Sequence, residues 1–308
     1  MKKLIPFAVL LVLAASRLAA QTEEKPAKAP VKPATPPTHA DVVYGPSDRN
    51  VLDIWLANSS KPTPLVVFIH GGGWHGGDKT DVTDRFLKAM LDQDVSVASI
   101  RYRLTPENIL PAPVYDAARA LQFLRSKAGE WNLDPRHVGL TGISAGGCTS
   151  LWLACHDDLA DPKSSDPVLR ESTRVQVAAV GSPQTSLDPD VVIPWIGPQV
   201  MNHGMIRRAV NARTLEDIKA KPELLKLLQE FSPINHLSAD DPPILITYPE
   251  AGPLPAPNAG AAIHNAIFGV KFKEKADAAG VTCILKIEKE PAAATLPTIE
   301  GFLLKYLK

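Results

Sequence analysis

Ser144 lies at the centre of a Gly-x-Ser-x-Gly pattern whose glycines are Gly142 and Gly146. A short apolar run, residues 138–140, precedes the pattern, and a helical pattern over residues 145–155 follows it. In such a strand–turn–helix context, the serine occupies a strained turn and the glycines remove side-chain clashes around it. The spacing therefore predicts that Ser144 is a nucleophile presented at the N-terminus of a helix.

A second chemical feature is a triplet of glycines that follows His70 at the end of the apolar run 65–69. Glycines let backbone amides approach a ligand closely and adopt positive φ without steric cost. We expect the amides of Gly71, Gly72 and Ala145 to donate to the oxyanion of a tetrahedral intermediate. The triplet is not followed by Gly-Lys-Ser/Thr, so it is not typical of a phosphate-binding loop.

The elements that position these residues are short apolar runs alternating with amphipathic helical patterns. The runs cover residues 51–56, 65–69, 95–100, 138–140, 175–180, 244–247 and 281–287, and the helical patterns cover about 82–92, 113–128, 145–155, 214–230, 265–279 and 296–307. This alternation indicates an α/β fold with a parallel sheet covered on both faces. An open sheet of that kind binds its ligand at the carboxyl ends of the strands.

The chain resembles the α/β-hydrolase superfamily, and in particular its acetyl esterase/lipase-like and feruloyl-esterase-like branch with the His-Gly-Gly-Gly-Trp motif. The resemblance extends to segments 53–56, 70–79, 101–104, 134–138, 232–236 and 242–245. It implies an eight-stranded, mostly parallel sheet with helices on both faces. It also implies a small cap insertion at about 182–232 and the hydrolysis of carboxylic esters as the ancestral activity.

The sequence departs from this family at the two groups that activate the serine. In the family, an acidic residue follows the seventh strand and a histidine follows the eighth. Here Gly252 stands where the aspartate is expected, and no histidine follows His264. The Asp/His part of the triad is therefore degenerate, and two interpretations stay open.

In the first interpretation the protein is a serine carboxylesterase-like enzyme whose base has moved. His264 ends a long segment, residues 250–265, which follows the seventh apolar strand, and long ordered loops are often functional. His264 is then the base and Glu250 the acid that orients it, with His75 and His203 as weaker candidates for the base. The competing interpretation of His264 is a packing or N-cap-region residue of the next helix. His70 is expected to fix the glycine loop.

In the second interpretation the chain is a catalytically degenerate hydrolase that acts as a ligand-binding protein. Ser144 is then a polar wall of the pocket, and the glycine amides hold a carboxylate or an ester carbonyl. In both cases the expected partner is a small-molecule ester substrate or ligand, and an acylated carbohydrate is one candidate.

The N-terminal residues are expected to lie outside the folded domain. Residues 1–20 combine two lysines, an apolar stretch and a small-residue cleavage site, which is typical of a secretory signal peptide. A retained N-terminal anchor is the alternative. Residues 21–40 are rich in Pro, Ala and Lys and are interpreted as a tether. We therefore expect an exported protein, periplasmic or extracellular, whose α/β-hydrolase domain spans residues 41–308.

Composition excludes several other classes of protein. The chain has 308 residues, of which 45% are hydrophobic, and its 33 basic residues balance 33 acidic ones. Such a composition excludes a disordered chain and argues against a nucleic-acid-binding protein. No stable membrane span is expected after signal cleavage. The sequence has no Cys/His cluster with zinc spacing, so it predicts neither a metal nor an organic cofactor.

Overall fold

A computed structural model describes residues 32–308. The predicted signal peptide and the first part of the predicted tether lie outside the described residues, so export stays a prediction. The last part of the predicted tether is attached to the domain. The N–H groups of Ala34 and Thr35 each donate to the Asp84 carboxylate at 2.9 Å, and the first strand begins at His39. The described domain therefore includes residues before its predicted start at residue 41, because the Asp84 carboxylate and the edge of β2 bind their backbone groups.

The core of the fold is a single sheet of eight strands. They are β1 (His39–Val43), β2 (Val51–Trp55), β3 (Thr63–Ile69), β4 (Ser96–Ile100), β5 (Leu133–Ile143), β6 (Val177–Gly181), β7 (Ile244–Tyr248) and β8 (Cys283–Ile287). Their spatial order is β1-β2-β4-β3-β5-β6-β7-β8. β2 runs antiparallel to both of its neighbours, and all the other pairs are parallel. The predicted eight-stranded, mostly parallel sheet is confirmed.

Helices cover both faces of this sheet. They are α1 (Asp84–Leu91), α2 (Ala112–Ser126), α3 (Ala145–Cys155), α4 (Pro189–Ile196), α5 (Met205–Ala209), α6 (Leu215–Lys219), α7 (Pro222–Glu230), α8 (Ala259–Ile263), α9 (Ile267–Ala279) and α10 (Ile299–Leu307). Short 3-10 helices lie at Lys79–Asp81, Pro167–Arg170, Pro198–His203, Pro233–His236 and Pro291–Thr295. Apolar residues of α1 and α10 pack on one face, and those of α2, α3 and α9 pack on the other.

The segment between β6 and β7, where the cap insertion is predicted, is made of helices. It contains α4 to α7, and its apolar residues Ile196, Met201 and Met205 belong to the larger of the two cores. The single helical pattern predicted over 214–230 is wrong in one respect, since Pro222 starts a new helix and divides it. None of the helices in the described part of the chain combines the length and hydropathy needed to cross a bilayer.

Candidate active site

Ser144 occupies a sharp turn between the end of β5 and the start of α3. Its backbone has φ 56° and ψ −123°, which is unusual for a residue with a side chain. The Ser144 N–H donates to the Gly181 carbonyl at 2.9 Å and fixes the turn to the neighbouring strand. A Cβ atom on Gly146 would lie 2.0 Å from the carbonyl oxygen of Ile69. The glycine is therefore required for α3 to pack against the end of β3.

The glycine loop packs directly on this turn. A Cβ atom on Gly71 would lie 2.8 Å from the Ile143 carbonyl oxygen and 3.6 Å from Ser144 Cβ. Gly72 has φ +91°, a conformation that favours glycine. Ala145 is the first residue of α3, so its N–H has no acceptor within the helix. The residues predicted to supply the oxyanion donors thus lie on either side of the serine.

His70 holds the glycine loop in place, as expected from the sequence. Its ring is fully buried and stacks on Tyr102 with 4.1 Å between the ring centroids. The Tyr102 hydroxyl donates to the His70 carbonyl at 2.8 Å, and His70 Nδ1 lies 2.9 Å from the Gly71 carbonyl. Burial lowers the pKa of His70 to about 4, so the ring is neutral at pH 7.

The structure brings His264 to the serine. His264 Nε2 lies 3.0 Å from Ser144 Oγ, which is hydrogen-bond distance. The backbone carbonyl of Gly260 acts on the imidazole as a hydrogen-bond acceptor that raises its pKa, an effect smaller than that of burial. Because Nε2 faces the serine, Nδ1 is the nitrogen left to face this carbonyl. Burial lowers the pKa of His264 below its usual value, which favours the neutral ring that a base requires.

The geometry of α8 explains why the Gly260 carbonyl is available. Gly260 precedes His264 by four residues, the spacing at which a helical carbonyl normally accepts a backbone N–H. At this helix end, however, the His264 backbone N–H bonds to the Ala262 carbonyl instead. The Gly260 carbonyl is thereby left for the side chain of His264. A backbone carbonyl has no residue-type signature, so the sequence does not predict this group, and the four-residue spacing is its only sequence signal.

Glu250 does not meet His264, in contrast to the predicted orienting role. Its carboxylate forms an ion pair with Lys289, its side chain is 58% exposed, and it makes no hydrogen bond to His264. The cause is strand register. Tyr248 in β7 is aligned with Ile287 in β8, so Glu250 and Lys289, each two residues further on, are neighbours at the same sheet edge.

The structure gives the other two candidate histidines, His75 and His203, different neighbours. His75 is exposed, and its Nδ1 lies 2.9 Å from the Thr105 carbonyl. His203 ends the 3-10 helix Pro198–His203, and its ring lies edge-on to that of His264 with 6.0 Å between centroids. His203 therefore borders the candidate base.

A cavity of about 260 Å³ lies next to Ile143 at the strand ends, and its lining includes neither Ser144 nor His264. Its lining includes Ile143, Thr247, Glu288 and Thr298. Glu288 and Thr298 flank the segment after β8, where the resemblance implies the family's histidine. In this chain, that segment forms the 3-10 helix Pro291–Thr295 and contributes no imidazole to the site.

Comparison with known sequences places the chain in a family. The BD-FAE family model matches residues 52–266, which is most of the described domain. The probable carboxylic ester hydrolase LipM of Mycobacterium tuberculosis is 28% identical over 218 residues, covering 68% of this chain and 46% of LipM. The carboxylic ester hydrolase LipN of the same organism is 38% identical over 118 residues, covering 36% of this chain and 31% of LipN. The chain spans about half the length of the curated relatives it matches first.

Solved structures share the fold. An acetyl ester-xyloside bifunctional hydrolase from Caldicellulosiruptor lactoaceticus is similar with a TM-score of 0.63 at 21% identity, over 82% of this chain and 84% of that one. A bifunctional GH43-CE protein from Bacteroides eggerthii has a TM-score of 0.68 at 18% identity, over 87% of this chain and 37% of that one. Sheet order, serine turn and family match agree, and the chain belongs to the BD-FAE family of α/β-hydrolase-fold proteins.

Proposed function

We propose that this protein hydrolyses small carboxylic esters, with Ser144 as the nucleophile and His264 as the base. The observation that carries the proposal is the 3.0 Å contact between Ser144 Oγ and His264 Nε2 at the carboxyl end of the sheet. The esterase and ester hydrolase names of the relatives LipM, LipN and LipQ support the same class of reaction.

The reaction proceeds in two halves. His264 Nε2 accepts the Ser144 proton as Oγ attacks the ester carbonyl, and the amides of Gly71, Gly72 and Ala145 hold the resulting oxyanion. The intermediate collapses, the C–O bond to the alcohol breaks, and the imidazolium returns its proton to the departing alcohol. Water then attacks the acyl-serine with His264 again as base, which releases the carboxylic acid and restores the serine.

The Gly260 carbonyl takes over the orienting part of the acid's role. By accepting from Nδ1, it keeps that nitrogen protonated and leaves the lone pair on Nε2, facing the serine. A carbonyl carries a dipole rather than a full negative charge, so it stabilises the imidazolium less than a carboxylate does. We therefore expect a working but slower hydrolase than one with an acidic partner.

The test combines labelling by a fluorophosphonate probe with hydrolysis of p-nitrophenyl acetate. It compares the wild type with Ser144→Ala, His264→Gln and the control His137→Gln, a half-buried histidine near the opposite end of β5. We expect Ser144→Ala to abolish labelling and His264→Gln to slow both reactions by at least about 10³-fold, whereas His137→Gln retains them.

Two outcomes would overturn the proposal. Unchanged rates in His264→Gln would show that this imidazole is not the base. A folded wild-type protein that neither reacts with the probe nor hydrolyses the ester would instead favour the degenerate, ligand-binding interpretation, and binding of acetate or an uncleaved ester would then be measured directly.

A further inference from the structure

A second cluster of chemically capable side chains lies at the far end of the nucleophile helix. His156 follows the last residue of α3, Glu230 ends α7, and His236 ends the 3-10 helix Pro233–His236. One ligand atom from each of the three residues lies within 4.8 Å of the other two. Two imidazoles and a carboxylate are a donor set that binds zinc and similar divalent transition metals.

Two of the three separations are close to those around a single metal ion. His156 Nε2 and His236 Nε2 lie 3.4 and 3.7 Å from Glu230 Oε1. Zinc–nitrogen and zinc–oxygen bonds of about 2.0–2.1 Å in a tetrahedron place neighbouring ligand atoms about 3.3 Å apart. The two carboxylate–imidazole separations are within a few tenths of an ångström of this value, whereas the ligand atoms of the two imidazoles, which lie within 4.8 Å of each other, would have to approach by up to about 1.5 Å to share an ion.

The surroundings already orient the ligands. His156 Nδ1 lies 2.8 Å from the Asp157 carbonyl, which fixes a proton on Nδ1 and leaves the Nε2 lone pair for a metal. The buried indole of Trp152 lies against both imidazoles, with ring centroids 4.1 Å from His156 and 5.8 Å from His236. Its N–H donates to the Glu230 backbone carbonyl at 2.9 Å. His236 Nε2 contacts that same carbonyl at 2.5 Å, so metal binding requires His236 to exchange this bond for the ion.

The geometry points to a structural site for one zinc-like divalent ion, held by His156 Nε2, His236 Nε2 and Glu230 Oε1, with water completing the coordination. α3 has 11 residues and is about 16 Å long, so the ion is too far from Ser144 to take part in its chemistry. Its effect is to join the end of the nucleophile helix to the helices between β6 and β7. The residues lie 74 and six positions apart, which explains why the sequence predicts no metal.

The experiment uses the full chain, without an affinity tag and stripped of metal by a chelator. Calorimetric titration with Zn²⁺ gives the stoichiometry, Co²⁺ absorption spectra report the coordination geometry, and thermal unfolding is followed with and without Zn²⁺. We expect one Zn²⁺ per chain, a tetrahedral Co²⁺ spectrum and a higher melting temperature, with no such rise in Mg²⁺.

Matched variants assign the site. Loss of an outer-shell partner weakens metal binding by about 10–100-fold, so loss of a direct ligand in His236→Gln or Glu230→Gln is expected to weaken it at least as much. His137→Gln removes another histidine that is paired with a carboxylate, Asp134, at 2.9 Å, and should leave binding unchanged. The proposal is overturned if the folded wild type binds no Zn²⁺, or if both ligand variants bind it as tightly as His137→Gln does.

Discussion

The indole N–H of Trp74 donates to the hydroxyl of Thr149 at 3.0 Å, and this bond joins the glycine loop to the nucleophile helix. Both residues are buried, and Thr149 Oγ1 also donates to the Ala145 carbonyl at 2.9 Å. The loop that supplies two of the proposed oxyanion donors and the helix that supplies the third are thus held together by one buried polar contact.

Replacing Thr149 by valine tests this contact. Thr149→Val keeps the shape of the side chain and leaves the indole N–H unpaired in the core, so the free energy of unfolding should fall by about 1–3 kcal/mol. Urea denaturation measures the change, and Thr149→Ser, which keeps the hydroxyl, is the control. Equal stability of Thr149→Val and the wild type would show that the bond contributes nothing.

The glycine loop offers a matched pair of substitutions. A Cβ atom on Gly72 would lie 2.4 Å from the Gly76 carbonyl at a φ of +91°, whereas one on Gly76 would meet no atom within 4 Å. Gly72→Ala must displace the loop and should lower kcat for p-nitrophenyl acetate by about 10²–10³-fold, as the loss of an oxyanion donor does. Gly76→Ala should stay within about twofold of the wild type. Similar rates for the two variants would exclude Gly72 from the oxyanion site.

The pH dependence of activity should report His264. Burial lowers the pKa of its imidazole, and only the neutral ring can accept the serine proton. The acidic limb of the kcat/KM profile is therefore expected to be centred below pH 6.5, the usual pKa of a histidine. Initial rates between pH 4.5 and 8 measure the profile. An acidic limb centred above pH 6.5 would contradict the burial of the base.

Stability should depend on pH through His70. Its pKa is about 4 in the folded protein and near 6.5 in the unfolded chain, so the unfolded state binds more protons between these values. The free energy of unfolding should consequently fall as the pH is lowered through this window, by about 3 kcal/mol for this group. Urea denaturation at several pH values measures it, and His70→Gln should show a flatter profile. Parallel profiles for the two proteins would refute the assignment.

A buried ion pair ties the strand β2 to the segment after the glycine loop. Lys79 Nζ lies 2.5 Å from Asp53 Oδ2 and 3.0 Å from Asp41 Oδ1, and both Lys79 and Asp53 are almost fully buried. Lys79→Met leaves the buried Asp53 carboxylate without its cationic partner and should lower the free energy of unfolding by about 3–5 kcal/mol. The double variant Lys79→Met/Asp53→Asn, which has no unpaired buried charge at these positions, should recover much of the lost stability. If the double variant is no more stable than Lys79→Met, the penalty does not come from the uncompensated charge.

Most of the sheet was predictable because buried parallel strands form continuous apolar runs. β1 was not among the predicted strands, because most of its residues are exposed, including Val43 at 63%. Its place in the sheet depends on pairing with β2. The break between α6 and α7 is caused by Pro222. The helical spacing of the apolar residues continues across this proline and so does not reveal the break.

The parts of the candidate site whose residues lie close together in the sequence were predictable. The serine turn and the glycine loop each lie within a few residues, and His264 emerged because no histidine follows it. The group proposed to orient His264 was not predictable, because the separation of Glu250 from His264 depends on strand register and the availability of the Gly260 carbonyl depends on how α8 ends. The histidines at positions 156 and 236 likewise approach each other only through tertiary packing.

The position in the chain of the histidine that contacts Ser144 has a consequence for how related sequences are classified as active or inactive. This histidine lies in the connection between β7 and α9, which also contains Gly260, so β8 and α10 supply neither residue. A sequence screen can classify a chain as catalytically inactive whenever no histidine follows the last strand. Such a screen would reject this chain without considering His264. Inspecting the preceding crossover for a short helix ending in histidine would recover such chains.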